Sequence, residues 1–419
     1  MRSMQIALLE RGTMMQRQLN KVELLAPAGD LARAKTAIKY GADAVYLGGM
    51  NFSLRSRASN FTMDDICEVC AFAKEHGAHV HVTVNIIPHN EDFEGLREYL
   101  QQLEEAGVTA IITASMAIMK IAKECAPKLQ VHCSTQLSLT NSRTAQFLVE
   151  ELHVDRVVLA RECTLQEVEK LTAACPVETE AFIHGGMCVN YSGRCTLSNR
   201  MTLRDANRGG CAQSCRWQYD VYNGDEKISN ADKVFTMGSK DLMAADEVCD
   251  LIKSGVSSLK IEGRMKTEYY VASVVSGYRH LIDDLYEHDM KLDEERMAYH
   301  RAEIMKGENR EVCDGFYNGT ADASSIIYHA NSNNHVSHDF LGTVLSYQDG
   351  IARIMTRNPV SSDMTIEVLS PGRDNRVFVP VWLENDKGER EVLHRQPMTV
   401  LTMPVPFEVE KDDIFRRSR

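Results

Sequence analysis

Four cysteines stand close together in the segment HGGMCVNYSGRCTLSNRMTLRDANRGGCAQSCRWQ (184–218). They are Cys188, Cys195, Cys211 and Cys215, with the spacing C-x6-C-x15-C-x3-C. Thiolates are metal ligands, and a Gly-rich irregular backbone can direct several of them to one centre. The segment therefore predicts a metal centre. The alternative is four buried or incidental thiols, but the other eight cysteines are scattered singly or lie in predicted helices.

The spacing of these cysteines separates two kinds of metal centre. Zinc and iron–sulfur clusters both accept four thiolates, but structural zinc sites usually pair their ligands about two to four residues apart. Only Cys211 and Cys215 fit that pattern, so the spacing favours a four-iron four-sulfur cluster. Cys67 and Cys70 also have a C-x2-C spacing, but they fall in a predicted amphipathic helix. We expect those two to be core-facing or partly exposed thiols.

The cysteine segment is also basic. It carries five arginines against Asp205, a local charge of +4 in a chain of net charge −12; the arginines are Arg194, Arg200, Arg204, Arg208 and Arg216. A run of charge is usually a solvated loop, but guanidinium groups beside a metal centre could instead bind phosphate or carboxylate.

Composition narrows the class of protein. The 419 residues include 47 Lys and Arg against 59 Asp and Glu, which argues against coating nucleic acid through bulk charge. No apolar run is long enough to span a membrane, and no secretory signal is recognisable. We expect a cytoplasmic protein with reduced cysteines, in which residues 1–20 form an N-terminal extension.

Short β-branched runs alternate with helical patterns from Val22 onward, as in βαβ units. Nine strand candidates compete for eight places. They are VELLA (22–26), AVYLG (44–48), HVHVTVN (79–85), AIITA (110–114), VHCST (131–135), RVVLA (156–160), ETEAFIH (178–184), VFTM (234–237) and SLKIE (258–262).

The intervening segments have apolar residues at three- and four-residue spacing and end in Gly, as LARAKTAIKYG (31–41), DDICEVCAFAKEHG (64–77) and EGLREYLQQLEEAG (94–107) do. The pattern predicts an α/β fold, a (β/α)8 TIM-like barrel that is either regular or imperfect. A doubly wound open sheet is the alternative. We expect the barrel over residues 21–317, with a cluster-binding insertion at 185–232.

The composition changes after two predicted helices at about 268–287 and 292–306. Residues 318–338 are polar and rich in Asn and Ser, which is typical of a linker. Residues 339–419 are short strand patterns separated by QDG, SPG and NDKG turns. They predict a small C-terminal antiparallel β-barrel domain.

Active-site residues of such a barrel follow the carboxyl ends of its strands. Polar side chains recur at those positions. The candidate catalytic residues are Arg161, His184, Glu262 and Arg264, and the candidate substrate-binding residues are Arg55, Arg57, Asn85, Gln136, Arg200 and Arg208. Several arginines around one mouth suit a substrate with two carboxylates or phosphates. H-E-x-x-H, G-x-S-x-G and P-loop motifs are absent, so no machinery for simple proteolysis is visible.

Several motifs together resemble the collagenase-like peptidase family of unassigned mechanism, U32. They are ELLAPAGD (23–30), YGADAVYLGG (40–49), HCSTQ (132–136) and EAFIHGGMCVNYSGRCTLS (180–198). The resemblance covers roughly residues 22–320, and the C-terminal strands resemble the accessory β-domain of that family. The extension DANRGGCAQSCRW (205–217) is most similar to the tRNA-hydroxylating members, including the Gram-positive-type second paralogue.

This resemblance implies a prephenate-dependent hydroxylation of the wobble uridine of tRNA to 5-hydroxyuridine. It also implies an iron–sulfur cluster held by the four cysteines. Two alternatives stay open. One is a peptidase, which is the name of the family. The other is a non-catalytic RNA-binding scaffold with a structural zinc ion.

Overall fold

A computed structural model describes residues 21–53, 60–230, 234–327 and 336–419. Among these residues, no helix combines the length and the apolar character needed to cross a membrane. Internal contacts divide the chain into two compact units. The first covers the described residues within 1–34, 42–265 and 312–330, and the second those within 35–41, 266–311 and 331–419. The predicted extension (1–20) and part of the predicted linker (318–338) lie outside the described residues.

The first unit contains twelve strands in its described part. They are β1 (Glu23–Pro27), β2 (Ala44–Gly48), β3 (His79–Thr83), β4 (Ala110–Thr113), β5 (Gln130–Cys133), β6 (Arg156–Val158), β7 (Glu178–Gly185), β8 (Tyr222–Asn223), β9 (Glu226–Lys227), β10 (Asp241–Met243), β11 (Ser258–Ile261) and β12 (Val312–Cys313). Strands β1 to β7 pair in parallel in sequence order, and β11 pairs in parallel with both β1 and β7. The result is the closed eight-stranded parallel barrel that the sequence predicts.

Helices alternate with these strands. In chain order they are α1 (Leu31–Lys39), α2 (Met63–Glu75), α3 (Leu96–Glu105), α4 (Met116–Cys125), α5 (Ser142–Leu152), α6 (Leu165–Ala174), α7 (Leu197–Thr202), α8 (Val248–Lys253), α9 (Glu268–Glu287) and α10 (Glu294–Met305). Short 3-10 turns occur at Asn90–Phe93, Thr135–Leu137, Tyr191–Gly193, Ala206–Arg208, Ser214–Arg216 and Ala323–Ser325.

Local chemistry explains where the barrel helices begin and end. Helix α2 begins at a capping box in which Thr62 and Asp65 satisfy each other's backbone N–H groups. Beyond the ends of α2 and α3, Gly77 and Gly107 have φ values of 68° and 86°, a conformation that glycine adopts without steric cost. The predicted terminal glycines are therefore confirmed at these two ends.

One strand candidate is wrong. In the segment VFTM (234–237), only Phe235 makes a bridge, with Tyr219 just after the cysteine segment. Strand β10, which was not predicted, instead lies antiparallel to β7. The β-branched pattern of VFTM is real, but β11 already fills the eighth place of the barrel, so no position remains for a ninth parallel strand.

The second unit contains α9, α10 and an antiparallel sheet, which confirms the predicted antiparallel character of the C-terminal region. Its strands are β13 (His338–Gln348), β14 (Ile351–Thr356), β15 (Val360–Ser361), β16 (Ile366–Leu369), β17 (Arg376–Phe378), β18 (Leu383–Glu384), β19 (Arg390–Glu391), β20 (Leu393–His394), β21 (Val400–Pro404) and β22 (Ile414–Ser418). Eight of them form one sheet in the order β17-β16-β22-β13-β14-β21-β18-β19. The fully buried Arg416 guanidinium pairs there with Glu303 and Glu367.

Charged side chains fill the amino-terminal end of the barrel. Lys260 on β11 donates to Glu180 on β7 at 2.7 Å. Arg156 on β6 pairs with Glu23 on β1 at 2.6 Å and with Glu180 at 3.4 Å. The imidazole of His81 lies beside this group and is 1% exposed. We call these five residues the barrel-floor cluster.

Burial sets the ionisation of the cluster. Burial lowers the pKa of His81 to about 4, although the nearby Glu23 and Glu180 carboxylates partly oppose it. Burial would raise the pKa of Glu23, but the charges of His81 and Arg156, with hydrogen bonds from Arg156 and Ser258, lower it to about 2. His81 is therefore neutral at pH 7, whereas Glu23 is ionised.

Acidification should destabilise the fold through His81. The unfolded chain protonates this imidazole near pH 6.5, whereas the folded chain keeps it neutral down to about pH 4, so protons favour unfolding between these values. From pH 7 to pH 5 the free energy of unfolding should fall by about 2 kcal/mol on this account. Urea unfolding should show a shallower pH dependence in His81→Asn and an unchanged one in the exposed control His153→Asn. Equal slopes in all three proteins would contradict the expectation.

Candidate functional site

The structure brings the four cysteines of the predicted metal centre together. Burial raises the pKa of Cys188, and the neighbouring thiols of Cys195 and Cys211 raise it further. Burial likewise raises the pKa of Cys215, and the neighbouring thiols of Cys188, Cys211 and Cys195 raise it further. Cys188 and Cys215 are therefore each within electrostatic reach of the other three thiols.

A second group of potential metal ligands lies outside the cysteine segment. Within the described residues, the ligand atoms of Asp284, Glu287 and His288 all lie within 4.8 Å of one another, and this group contains no cysteine. No three of the four thiols lie that close together in the described structure.

Backbone geometry around Cys195 fixes one side of the centre. The N–H of Leu197 donates to the sulfur of Cys195 at 3.3 Å. The amide of Asn207 donates to the Cys195 carbonyl at 3.0 Å and accepts from the Cys195 N–H at 3.3 Å. A Cβ at Gly210 would lie 2.8 Å from backbone atoms of Asp205, so this turn requires glycine. These contacts hold the irregular segment in one conformation.

Two contacts tie the start of the cysteine segment to barrel loops. The carboxylate of Glu162, beyond β6, accepts from the backbone N–H of Ser192 at 2.5 Å and from its hydroxyl at 2.9 Å. The Nε of Arg194 donates to the carbonyl of Gln136, beyond β5, at 2.6 Å. Both anchors lie at carboxyl ends of strands, so the cysteine segment stands over the barrel mouth.

Arg208 provides a third anchor. Its guanidinium donates to the carbonyl of Ile87 at 3.0 Å and to both carboxylate oxygens of Asp92. The hydrogen bond from Arg208 lowers the pKa of Asp92 to about 2, so the pair is ionised at neutral pH. This geometry favours an anchoring role for Arg208 over the substrate contact predicted from the sequence.

The other arginines of the segment divide into engaged and exposed groups. Arg216 pairs with the buried Asp241 of β10 at 3.0 Å. Arg200 and Arg204 are exposed, and neither side chain forms an ion pair or hydrogen bond within the described part of the chain. This exposure is compatible with the prediction that Arg200 contacts an anionic substrate. Arg204, which was not among the predicted binding residues, is exposed in the same way.

Glu262 and His184 lie together at the barrel mouth. The N–H of Glu262 donates to the carbonyl of His184 at 2.8 Å. The Glu262 carboxylate accepts a hydrogen bond from the hydroxyl of Tyr46 on β2 at 3.1 Å. Gly185 has φ 100°, and a Cβ there would lie 2.1 Å from the Glu262 carbonyl oxygen, so glycine is required for this close approach.

Arg264 crosses the mouth toward β2 and β3. Its guanidinium donates to the hydroxyls of Ser53 at 3.1 Å and Thr83 at 3.3 Å, and to the side-chain oxygen of Asn60 at 3.3 Å. The side chain is only 3% exposed. A Cβ at Gly48 would meet the guanidinium at 2.2 Å, so the GG pair after AVYL makes room for Arg264. A positive charge is therefore held rigidly in the mouth.

Arg161 links the mouth with the cysteine segment. It donates to the carbonyl of Gly186 at 2.9 Å, and its guanidinium stands 5.0 Å from the centre of the Phe182 ring. Its charge also acts to lower the pKa of Cys188, against the larger effect of burial. A cation beside a thiolate centre offsets part of the negative charge that the centre carries.

Of the remaining predicted binding residues, Asn85 donates to the side-chain oxygen of Gln136 at 3.3 Å, so these two amides lie together. Arg55 and Arg57 lie outside the described residues.

The two cysteines with C-x2-C spacing lie on α2, where Cys67 is exposed and Cys70 is buried, as expected. Sequence reasoning missed the partners of the site: Tyr46, Ser53, Asn60, Thr83, Asp92 and Asn207. Only Ser53, Asn60 and Thr83 carried a signal, since they follow or end strands β2 and β3.

The fold and the site define a class: (β/α)8 barrels that carry four convergent thiols over the carboxyl ends of their strands. The chain belongs to Peptidase family U32, whose model matches residues 29–327. The model of the Peptidase family U32 C-terminal domain matches residues 336–416.

Three relatives differ in what their names state. The tRNA hydroxylation protein P1 of Bacillus subtilis (strain 168) is 39% identical over 409 residues, 95% of this chain and 95% of the relative. The 23S rRNA 5-hydroxycytidine C2501 synthase of Escherichia coli (strain K12) is 38% identical over 268 residues, 64% of this chain and 40% of the relative. A protein of Porphyromonas gingivalis (strain ATCC BAA-308 / W83) named Collagenase is 33% identical over 315 residues, 72% of this chain and 74% of the relative.

Proposed function

We propose that this protein is an RNA-modifying enzyme that hydroxylates tRNA, with the wobble uridine as its target and 5-hydroxyuridine as its product. The observation that carries the proposal is the 39% identity, over 95% of both chains, to a protein named tRNA hydroxylation protein P1. The match includes both the barrel and the C-terminal unit, so the two proteins share the whole architecture and not one domain alone.

We further propose that Cys188, Cys195, Cys211 and Cys215 hold a four-iron four-sulfur cluster. Support comes from their spacing in the sequence, from their proximity in the structure and from the N–H of Leu197 directed at the Cys195 sulfur. When bound, such a cluster supplies one-electron redox or Lewis-acid chemistry. The protein's own contribution is to position the thiolates and to offset their charge with Arg161.

The barrel mouth is proposed to bind a small dicarboxylate co-substrate such as prephenate. Arg161 and Arg264 present two guanidinium groups at this end of the barrel, and guanidinium binds carboxylate through paired hydrogen bonds. The amides of Asn85 and Gln136 offer further neutral hydrogen bonds. Glu262, held by Tyr46, is the carboxylate available there to accept a proton.

Nucleoside analysis of tRNA tests the proposed function directly. Cells that lack this gene should lose 5-hydroxyuridine and its derivatives from their tRNA, and the intact gene should restore them, as measured by mass spectrometry of digested tRNA. A Cys195→Ser gene serves as the matched control and should not restore them. An unchanged nucleoside profile in the deletion strain would overturn the proposal.

The same purified protein also separates the alternatives. Collagen and casein should remain uncut, because the sequence carries neither the H-E-x-x-H nor the G-x-S-x-G motif of hydrolases. Robust cleavage, lost on substitution of Arg264 or Glu262, would favour the peptidase reading that the name Collagenase suggests. Colourless protein with one zinc ion and no effect on tRNA nucleosides would favour an RNA-binding scaffold.

A further inference from the structure

Leu203 occupies an unusual position at the end of α7. It caps the helix with φ 56° and ψ 25°, a left-handed conformation that glycine and asparagine adopt far more readily than leucine. Its side chain is 94% exposed, the highest value among the large apolar residues exposed in the described chain. Neither helix capping nor burial explains a leucine here, so its side chain is suited to a contact outside this chain.

The surroundings of Leu203 indicate the chemistry of that contact. Arg200 and Arg204 lie three residues before it and one residue after it, both exposed, and neither forms an ion pair in the described structure. Met201, also on α7, is 45% exposed. An apolar tip between two available guanidinium groups complements a polyanion with stacked apolar faces, and in a chain of net charge −12 this basic patch is a local exception.

The tip is also close to the proposed reaction centre. Helix α7 begins at Leu197, whose N–H donates to the sulfur of Cys195. Its six residues span about 9 Å along the axis. Leu203 is therefore on the order of 10 Å from the Cys195 sulfur.

We propose that Leu203 is a wedge that inserts between two stacked bases of the tRNA anticodon loop. This inference rests on the proposed function. Enzymes that modify a base must bring it out of its stack, and nucleic-acid-binding proteins use apolar side chains, leucine among them, to separate base steps. Arg200 and Arg204 bind the flanking phosphates, and the separated uridine is then free to enter the barrel mouth beneath the cysteine segment.

A fluorescent RNA hairpin tests the wedge without relying on catalysis. The probe is an anticodon stem–loop with 2-aminopurine directly 3′ to the target uridine, since 2-aminopurine brightens when it is unstacked. Binding of the wild-type protein should increase the fluorescence, and Leu203→Met should preserve the increase. Leu203→Ala should bind within about threefold of wild-type affinity, because phosphate contacts dominate affinity, but should lose most of the increase.

Two further variants separate the wedge from other roles. Leu203→Gly should keep or raise the melting temperature, because glycine suits the left-handed backbone, and should also lose the fluorescence increase. Arg200→Ala with Arg204→Ala should weaken binding and reduce the salt slope of log Kd by about 1.4, the value for two phosphate contacts on a single strand. Val392→Ala, which truncates a 75% exposed apolar side chain of the C-terminal unit, should change neither the fluorescence nor the affinity.

The outcomes distinguish this inference from the proposed function. Equal fluorescence increases in wild type and Leu203→Ala, no increase in wild type, or failure of the wild-type protein to bind the hairpin would each overturn the wedge, and the last would favour a protein partner for this tip. A fluorescence difference that depends on Leu203, together with an unchanged nucleoside profile in the deletion strain, would support the wedge and overturn the hydroxylase proposal.

Discussion

Replacing any one of Cys188, Cys195, Cys211 and Cys215 by Ser should remove most of the iron that the wild-type protein takes up on anaerobic reconstitution. The wild type should bind about four iron atoms per chain and turn brown, and each variant should bind less than about one. The physical reason is that Cys188 and Cys215 each lie within electrostatic reach of the other three thiols, so each of the four is expected to supply one ligand. Iron analysis and the visible spectrum measure the effect.

Cys67→Ser is the matched control, because Cys67 is an exposed thiol on α2 outside the cysteine segment. It should keep full iron content. Cys70→Ser should also keep its iron, although its side chain is buried and burial raises the pKa of its thiol to about 12. Stoichiometric zinc and no iron after anaerobic reconstitution of wild type would contradict the cluster assignment.

Removing the Arg264 guanidinium should have the second large effect. Arg264→Ala is expected to lower tRNA hydroxylation by at least about a hundredfold, because a buried cation that bridges β2 and β3 and faces the mouth is lost. The visible spectrum of the cluster should stay unchanged, since Arg264 is not a proposed ligand and the side chains to which it donates are Ser53, Thr83 and Asn60. Product analysis by mass spectrometry and the spectrum of the same sample give the two readouts.

Because Arg264 is nearly fully buried, its loss could also unfold the barrel, and two variants guard against that reading. Arg264→Lys keeps the charge and should retain more activity than the Ala variant. Tyr46→Phe removes only the hydroxyl, which donates to the Ile261 carbonyl at 3.0 Å and to Glu262 at 3.1 Å, and should reduce activity while the melting temperature stays within a few degrees. Full activity in Arg264→Ala protein that is folded and brown would exclude a role for this residue in the reaction.

The fold could be predicted because its signals are local. Each barrel strand is a short run with buried apolar residues, helices α2, α4, α5 and α6 each begin at a capping side chain, and eight repeats of this unit leave few topologies. The segment VFTM (234–237) has the same local pattern and yet forms no barrel strand, because closure depends on which strand meets β1. The strand that meets β1 is β11, with Glu23 opposite Ser258. These two residues are too far apart in the sequence for any local pattern to reveal their pairing.

The site could be predicted in part, because some of its signals are also local in the sequence. Cys188, Cys195, Cys211 and Cys215 are near neighbours in sequence, so their spacing alone indicated a centre. The role of Arg208 could not be read in this way, since its partner Asp92 is 116 residues away and lies in an unremarkable NEDF turn. Charge alone cannot distinguish an arginine that anchors a loop from one, such as Arg204, that stays exposed.

The barrel closes between its first strand, β1, and its last, β11, so it cannot close until most of the chain has been synthesised. The pairing partners Glu23 and Ser258 are 235 residues apart, so β1 leaves the ribosome long before the strand that completes it. Until then the nascent barrel has two open edges, at β1 and β7, and open strand edges are templates for aggregation. The cysteine segment, which precedes β11, is synthesised during that interval, after its anchors at Asp92, Gln136 and Glu162. Its docking surface thus exists before the barrel closes beneath it.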